Sequence, residues 1–195
     1  MTIHYRNDSD RVTHQVWAQR QANSCAVASI WMARNQARQM TMQEGEWARA
    51  WSLYHRVVLR MDIVPEPPAP MSLNPDSHDE NQSAFSNMFA SYGTYMGQVN
   101  EGLRNDGLSV TFTTTFSPGT TISPKRLSDT TPAIVLLGWY QQKVRRGGHF
   151  IVASRVTGSG NIVYLDPWGG QLREMGIGPN YLANGRFEQI SYISA

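Results

Sequence analysis

The sequence holds one cysteine, Cys25, among 195 residues. A single thiol excludes an internal disulfide framework and a cysteine-rich zinc site, and it suits a reducing compartment. Charge is sparse as well, at 16% of residues with a formal net of +2, too little to argue for a nucleic-acid partner. It is spread unevenly: residues 1–60 carry +4, residues 61–107 carry −6 and residues 108–195 carry +4. An acidic middle between basic ends reads as ordinary solvated surface. Long apolar runs are missing. The longest, residues 132–140, is far too short to span a bilayer, so no membrane span is expected. The polar opening, residues 1–8, lacks the apolar segment of a Sec signal peptide. The expectation is a cytoplasmic protein in its producer, leaving, if it leaves, by a Sec-independent route.

What is present is a globular composition, 41% hydrophobic, in a length that suits one domain over residues 1–195. Residues 1–14 are polar and are expected to be loosely held. Asn23 or Ser24 can cap a helix whose first turn holds Cys25 and whose body is apolar through Asn35. A second helix is expected over 42–61, with Trp47, Trp51, Tyr54 and Val58 on one stripe. Residues 62–80 contain Pro65, Pro67, Pro68, Pro70 and Pro75 among acids and read as a loop. A third helix is expected over 82–105.

After Gly107 the pattern becomes β-branched and alternating. Strands are expected at 108–114, 133–140, 149–156, 161–166, 171–175 and 187–193, a short helix at 123–129, and a helical turn at 181–185 ended by Gly185. Helices first and an antiparallel sheet second give an α+β fold.

A lone free cysteine is most often a small buried hydrophobe. Cys25 differs by its place at a helix N-terminus, where free N–H groups and the dipole favour thiolate. His149 follows Gly147 and Gly148 and opens an apolar strand. Asp166 stands seventeen residues later. The strand at 149–156, the turn at 157–160 and the strand at 161–166 read as a hairpin. A turn centred near Ser159 sets Asp166 opposite Ile151 or Ala153, on the face shared with His149. A diagonal pair of this kind lies within reach of an imidazole and a carboxylate. On this reading Asp166 accepts the Nδ1 proton and Nε2 serves Cys25, and a bulge in the hairpin would break the parity. An oxyanion hole could use Gln19 or Gln21, both just upstream of Cys25.

Gln19 six positions before Cys25, then Gly148-His149-Phe150, then Leu165-Asp166-Pro167-Trp168, resemble in order and spacing the papain-like cysteine peptidases. The compact bacterial branch, with bacteriocin-leader peptidases and injected effector proteases, is the most similar. The resemblance implies a papain-like fold with N-terminal helices packed on a C-terminal antiparallel sheet. It implies Cys25 as nucleophile, His149 as base, Asp166 as its orienter and Gln19, rather than Gln21, in the oxyanion hole. Ala26 departs from the glycine that usually follows the nucleophile. The implied activity is endopeptidase cleavage through a thioester, without metal or other cofactor. The implied setting is a delivered effector or toxin with a protein substrate in a target cell and an immunity protein or chaperone as companion. Two alternatives stand beside it. One is an amidase, deamidase or acyltransferase with the same triad. The other is a non-enzymatic scaffold that binds a partner through the Pro-rich segment.

Overall fold

The computed structural model describes residues 2–19, 25–40 and 94–195. The helix expected over 42–61, the Pro-rich stretch 62–80, residues 82–93 of the third helix, and Asn23 and Ser24 all lie outside the described residues.

The chain opens on a hairpin of β1 (Thr2–Asn7) and β2 (Thr13–Ala18). This corrects the expected loose N-terminal arm. The turn between the strands is closed from within. The Asp8 N–H donates to the Val12 carbonyl at 3.0 Å, and the Val12 N–H donates to Asp8 Oδ1 at 2.8 Å. Val16 and Trp17 are buried, and Trp17 stacks on Trp31 with ring centroids 5.6 Å apart. A polar-looking segment is thus anchored by two apolar side chains and one self-capping aspartate.

Helix α1 (Cys25–Ala37) is buried on nearly every side. That suits its sequence, which is apolar all round rather than striped. Its one buried cation, Arg34, bonds Asp106 Oδ2 through Nε at 2.5 Å and lies over the Trp31 ring. The helix stops where Gln39 takes φ 51°. Helix α2 (Met96–Asn105) buries Met96, Val99 and Leu103. Tyr95 precedes it, its N–H donating to Gln98 Oε1 at 2.9 Å.

The rest is mainly sheet: β3 (Ser109–Thr113), β4 (Ala133–Gln141), β5 (Val144–Val156), β6 (Ile162–Asp166), β7 (Gln171–Met175), β8 (Asn180–Tyr181) and β9 (Gly185–Ser194). The order is β3-β9-β4-β5-β6-β7, every pair antiparallel, with β8 added to β9. The described residues therefore form a mixed α+β structure with a large antiparallel sheet. Both faces of that sheet are covered. One packs Ile134, Leu136, Phe150, Val152, Val163 and Leu165 against α1, α2 and β2. The other gathers Val135, Leu137, Ile151, Tyr164, Tyr181 and Phe187 around Ile122. Burial on both faces explains why β4 and β6 read as continuous apolar runs rather than alternating ones.

Three local expectations are corrected. The helix at 123–129 is a single 3-10 turn, Pro124–Arg126. The helical turn at 181–185 begins instead with β8, which pairs Tyr181 with Gly185 of β9. And β5 starts at Val144, not at His149, because Gln142 (φ 49°) and Lys143 (φ 67°) make a two-residue turn with both central residues at positive φ. Asn-Gly or Asp-Gly usually announces such a turn; Gln-Lys gives no such signal, and Gly147-Gly148 reads as a break.

Candidate active site

Cys25 is the first residue of α1 and is buried. His149 lies inside β5, and Asp166 is the last residue of β6. The Cys25 sulfur accepts a side-chain hydrogen bond from the His149 ring. On the other side of the ring, His149 Nε2 lies 2.7 Å from Asp166 Oδ1. The three residues singled out from the sequence are brought together.

The ring is turned the other way from the sequence expectation. Nε2 serves Asp166, and Nδ1 is left for the sulfur. The reason is reach: Asp166 is a cross-strand diagonal neighbour, so it meets the nitrogen farther from the backbone.

Strand alternation sets His149 on the face of Leu137 and Ile151, turned away from α1, whereas Cys25 arrives with α1 on the other face. They can meet because the β5–β6 ladder ends at Val152–Leu165. At His149 no β6 residue pairs with β5, and the helix N-terminus meets the His149 ring at that point.

The hairpin contains a bulge, and its effect is the reverse of the expected one. The turn is closed by the Thr157 N–H on the Asn161 carbonyl at 2.8 Å, and Val156 pairs with Ile162. Counted outward without interruption, that ladder sets Asp166 opposite Val152, on the wrong face. Between Ala153 and Val156 the register shifts, so that Ala153 pairs Tyr164 and Val152 pairs Leu165. One further step puts Asp166 opposite Ile151, on the His149 side. The bulge makes the parity hold.

Asp166 is held by three donors: His149, the Trp168 N–H on Oδ1 at 2.8 Å, and the Tyr181 hydroxyl on Oδ2 at 2.7 Å. Burial raises its pKa, but the bonds from His149, Tyr181 and Trp168 outweigh it and hold the carboxyl below its usual range. For His149 burial disfavours the cation, yet the bonds to Asp166 and Cys25 prevail and carry its pKa up to about 9. The ring is therefore an imidazolium at neutral pH. Burial and Asp166 together push the Tyr181 hydroxyl well above its ordinary range, so it stays a donor.

Tyr181 is a residue that the sequence reading missed. A two-residue strand leaves no periodic signal. Tyr181→Phe is expected to cost about 1.5–3 kcal/mol, the range for hydrogen bonds to charged groups, measured by chemical denaturation at neutral pH. The cost should fade in acid once Asp166 is protonated.

Two tryptophans border the His149 ring. Trp139 stacks on the His149 ring at 6.3 Å, and Trp168 meets it edge-on at 6.3 Å while remaining 64% exposed. Next to His149, a Cβ on Gly148 would stand 2.7 Å from Arg145 Nη2. The guanidinium crosses that glycine to bind the fully buried Glu188 at 2.7 and 2.9 Å.

Gln19 follows β2. Its N–H donates to the Pro167 carbonyl at 2.8 Å, and its main chain bridges to Trp168. The upstream glutamine is thereby tied to the turn that follows Asp166. Gln21 lies outside the described residues. Among the described residues, no three or more His, Cys, Asp or Glu side chains are grouped to hold a metal ion, and no helix is long and apolar enough to cross a membrane. No protein-family model matches the chain and no curated protein matches it, so the site stands on its own geometry.

Proposed function

We propose that the protein is a cysteine peptidase of the papain-like kind, with α1 carrying the nucleophile and the antiparallel sheet carrying the base. The observation that supports this most is the chain of contacts Cys25–His149–Asp166 around an imidazole that is cationic at neutral pH. An imidazolium beside a thiol at a helix N-terminus favours the thiolate, the nucleophilic form.

In this reading the Cys25 sulfur attacks the scissile carbonyl. A C–S bond forms and the carbonyl π pair moves onto oxygen. The oxyanion is met by the Cys25 N–H, which has no intrahelical acceptor at the first helical position, and by the side-chain amide of Gln19. Collapse breaks the C–N bond, and the His149 proton goes to the leaving amine. His149 then takes a proton from water, hydroxide attacks the thioester, and the C–S bond breaks to release the acid. Asp166 keeps Nε2 bonded throughout, so that Nδ1 stays aimed at the sulfur. The resemblance also supports a role as a delivered bacterial effector or toxin acting on a protein of the target cell.

The test is mass-spectrometric mapping of new protein N-termini in target-cell lysate treated with wild-type protein, Cys25→Ala and His149→Ala. New termini that appear only with the wild type are expected. Termini that persist in either variant would overturn the assignment. Cys25-dependent conversion of glutamine to glutamate without new termini would make it a deamidase, and peptide release from purified peptidoglycan a cell-wall amidase.

A further inference from the structure

Both residues of the β5 bulge, Ser154 and Arg155, are gripped by side chains from elsewhere in the fold. Ser154 is fully buried; its Oγ donates to Gln36 Oε1 of α1 at 2.7 Å and lies 3.3 Å from His14 Nδ1 of β2. Gln36 Nε2 returns a bond to the Ser154 carbonyl at 2.8 Å. His14 Nε2 is 3.0 Å from Asp8 Oδ2. Arg155 Nη1 donates to the same Asp8 oxygen at 2.8 Å and to Asp10 Oδ2 at 3.0 Å, and its Nε reaches Asp129 Oδ1 at 3.2 Å. Asp10 also accepts the Gly158 N–H at 2.9 Å, which ties it to the turn of the β5–β6 hairpin.

Apolar patterning specifies the parity of this hairpin only weakly. Ile162, Val163, Tyr164 and Leu165 are all buried, as are Phe150 to Ser154. A strand buried on both faces loses less by a one-residue slip than a strand with one wet face. Yet the slip matters at its end, because the uninterrupted ladder carries Asp166 to the Val152 face, away from His149.

We propose that the clamp formed by Asp8, His14 and Gln36 on Ser154 and Arg155 selects the bulged register and so brings Asp166 to His149. The inference rests on the reading of Cys25, His149 and Asp166 as the catalytic group. Asp8, His14, Gln36, Ser154 and Arg155 are positioning residues; none of them has a hydrogen bond to Cys25, His149 or Asp166 among those described above. The N-terminal hairpin then serves the site twice, holding the bulge through His14 and bringing Gln19 beside Trp168 at its other end.

The experiment exploits the arithmetic of the ladder. The Ser154→Ala/Arg155→Ala variant keeps both positions but loses every clamp bond made by their side chains, leaving only the Gln36 bond to the carbonyl of residue 154, and the uninterrupted ladder becomes available. Deleting residue 155 in the Ser154→Ala chain also abolishes the bulge, but now an uninterrupted ladder pairs Ile151 with Asp166 again. The His149 ring protons are followed by NMR against pH in each folded protein. The declamped variant is expected to titrate well below the wild-type value of about 9, toward the ordinary histidine value of about 6.5. The deletion variant is expected to regain the wild-type titration, which a clamp that merely stabilised the fold would not bring about. A folded declamped variant that keeps the wild-type titration overturns the inference, and so does a deletion that fails to restore it. Should the double variant not fold, Ser154→Ala alone severs the hydroxyl's bonds to Gln36 Oε1 and His14 and carries the same readout. The NMR arm does not need activity. A wild type without Cys25-dependent cleavage, together with a titration that follows the ladder, would sink the peptidase reading and leave the register inference standing.

Discussion

At pH 6, iodoacetamide is expected to alkylate Cys25 about 10 to 100 times faster in the wild-type protein than in His149→Ala. A free thiol in water is almost wholly protonated at that pH. Beside Cys25 stands a ring whose pKa, against the opposing effect of burial, is carried up to about 9 by Asp166 and by the Cys25 sulfur. Below that pH the ring is a cation, and a cation in contact with sulfur stabilises the thiolate. The gain in thiolate is partly offset, since a more stable thiolate is a weaker nucleophile. As pH rises past 9 the ring loses its charge, and an unassisted thiol is by then mostly ionised. The ratio between the two proteins should therefore shrink toward one. Equal rates at pH 6 would show that His149 does not act on Cys25, and the peptidase reading would fall with it.

Asp166→Asn is expected to lower stability by about 3 kcal/mol near neutral pH, the lower end of the cost of breaking a buried ion pair. It should also change how stability depends on pH. The folded-state pKa of His149 is above its ordinary value, so its contribution is fully present below about pH 6.5 and is lost as pH rises through about 9. A rise from 6.5 to about 9 corresponds to about 3 kcal/mol lost by the wild type across that window. Asp166 is shifted down against the effect of burial, chiefly by His149, so its contribution is present above the ordinary carboxylate range and is lost in acid as pH falls through its folded value. Asparagine removes the carboxylate charge. The alkaline loss should shrink without vanishing, since Cys25 still bonds the ring. Chemical denaturation at pH 6 and pH 10 measures both quantities. An unchanged alkaline loss in Asp166→Asn would separate the His149 shift from Asp166.

Much of the C-terminal half is legible in the sequence. The strand at Gln171–Met175 was expected with those limits, and β3, β4, β6 and β9 differ from expectation by one or two residues at their ends. Their β-branched and aromatic residues have few other places to go. The elements misread are those whose cause is not local. The β1–β2 hairpin looks polar because two buried apolar side chains, Val16 and Trp17, are enough to dock it, Trp17 by stacking on Trp31 of α1. The start of β5 is hidden by a turn made from Gln142 and Lys143, whose positive φ values are imposed by the strands on either side.

The candidate site divides in the same way. The sequence by itself determined which residues are available: a single thiol at a helix start, a histidine in an apolar strand, and an aspartate at the end of the next one. It determined their order because the α1 pattern and the hairpin are local, set by periodicity and turn residues. Tertiary structure alone decided that they meet. The bulge at Ser154 and Arg155 chooses the face on which Asp166 emerges. The length of the diagonal chooses which imidazole nitrogen it holds. The end of the β5–β6 ladder opens the place where Cys25 reaches the ring, and Tyr181 closes the far side of the carboxylate from a strand too short to announce itself. Each of these depends on side chains far apart in the chain, and a one-residue change in pairing moves a side chain to the opposite face without altering any local propensity.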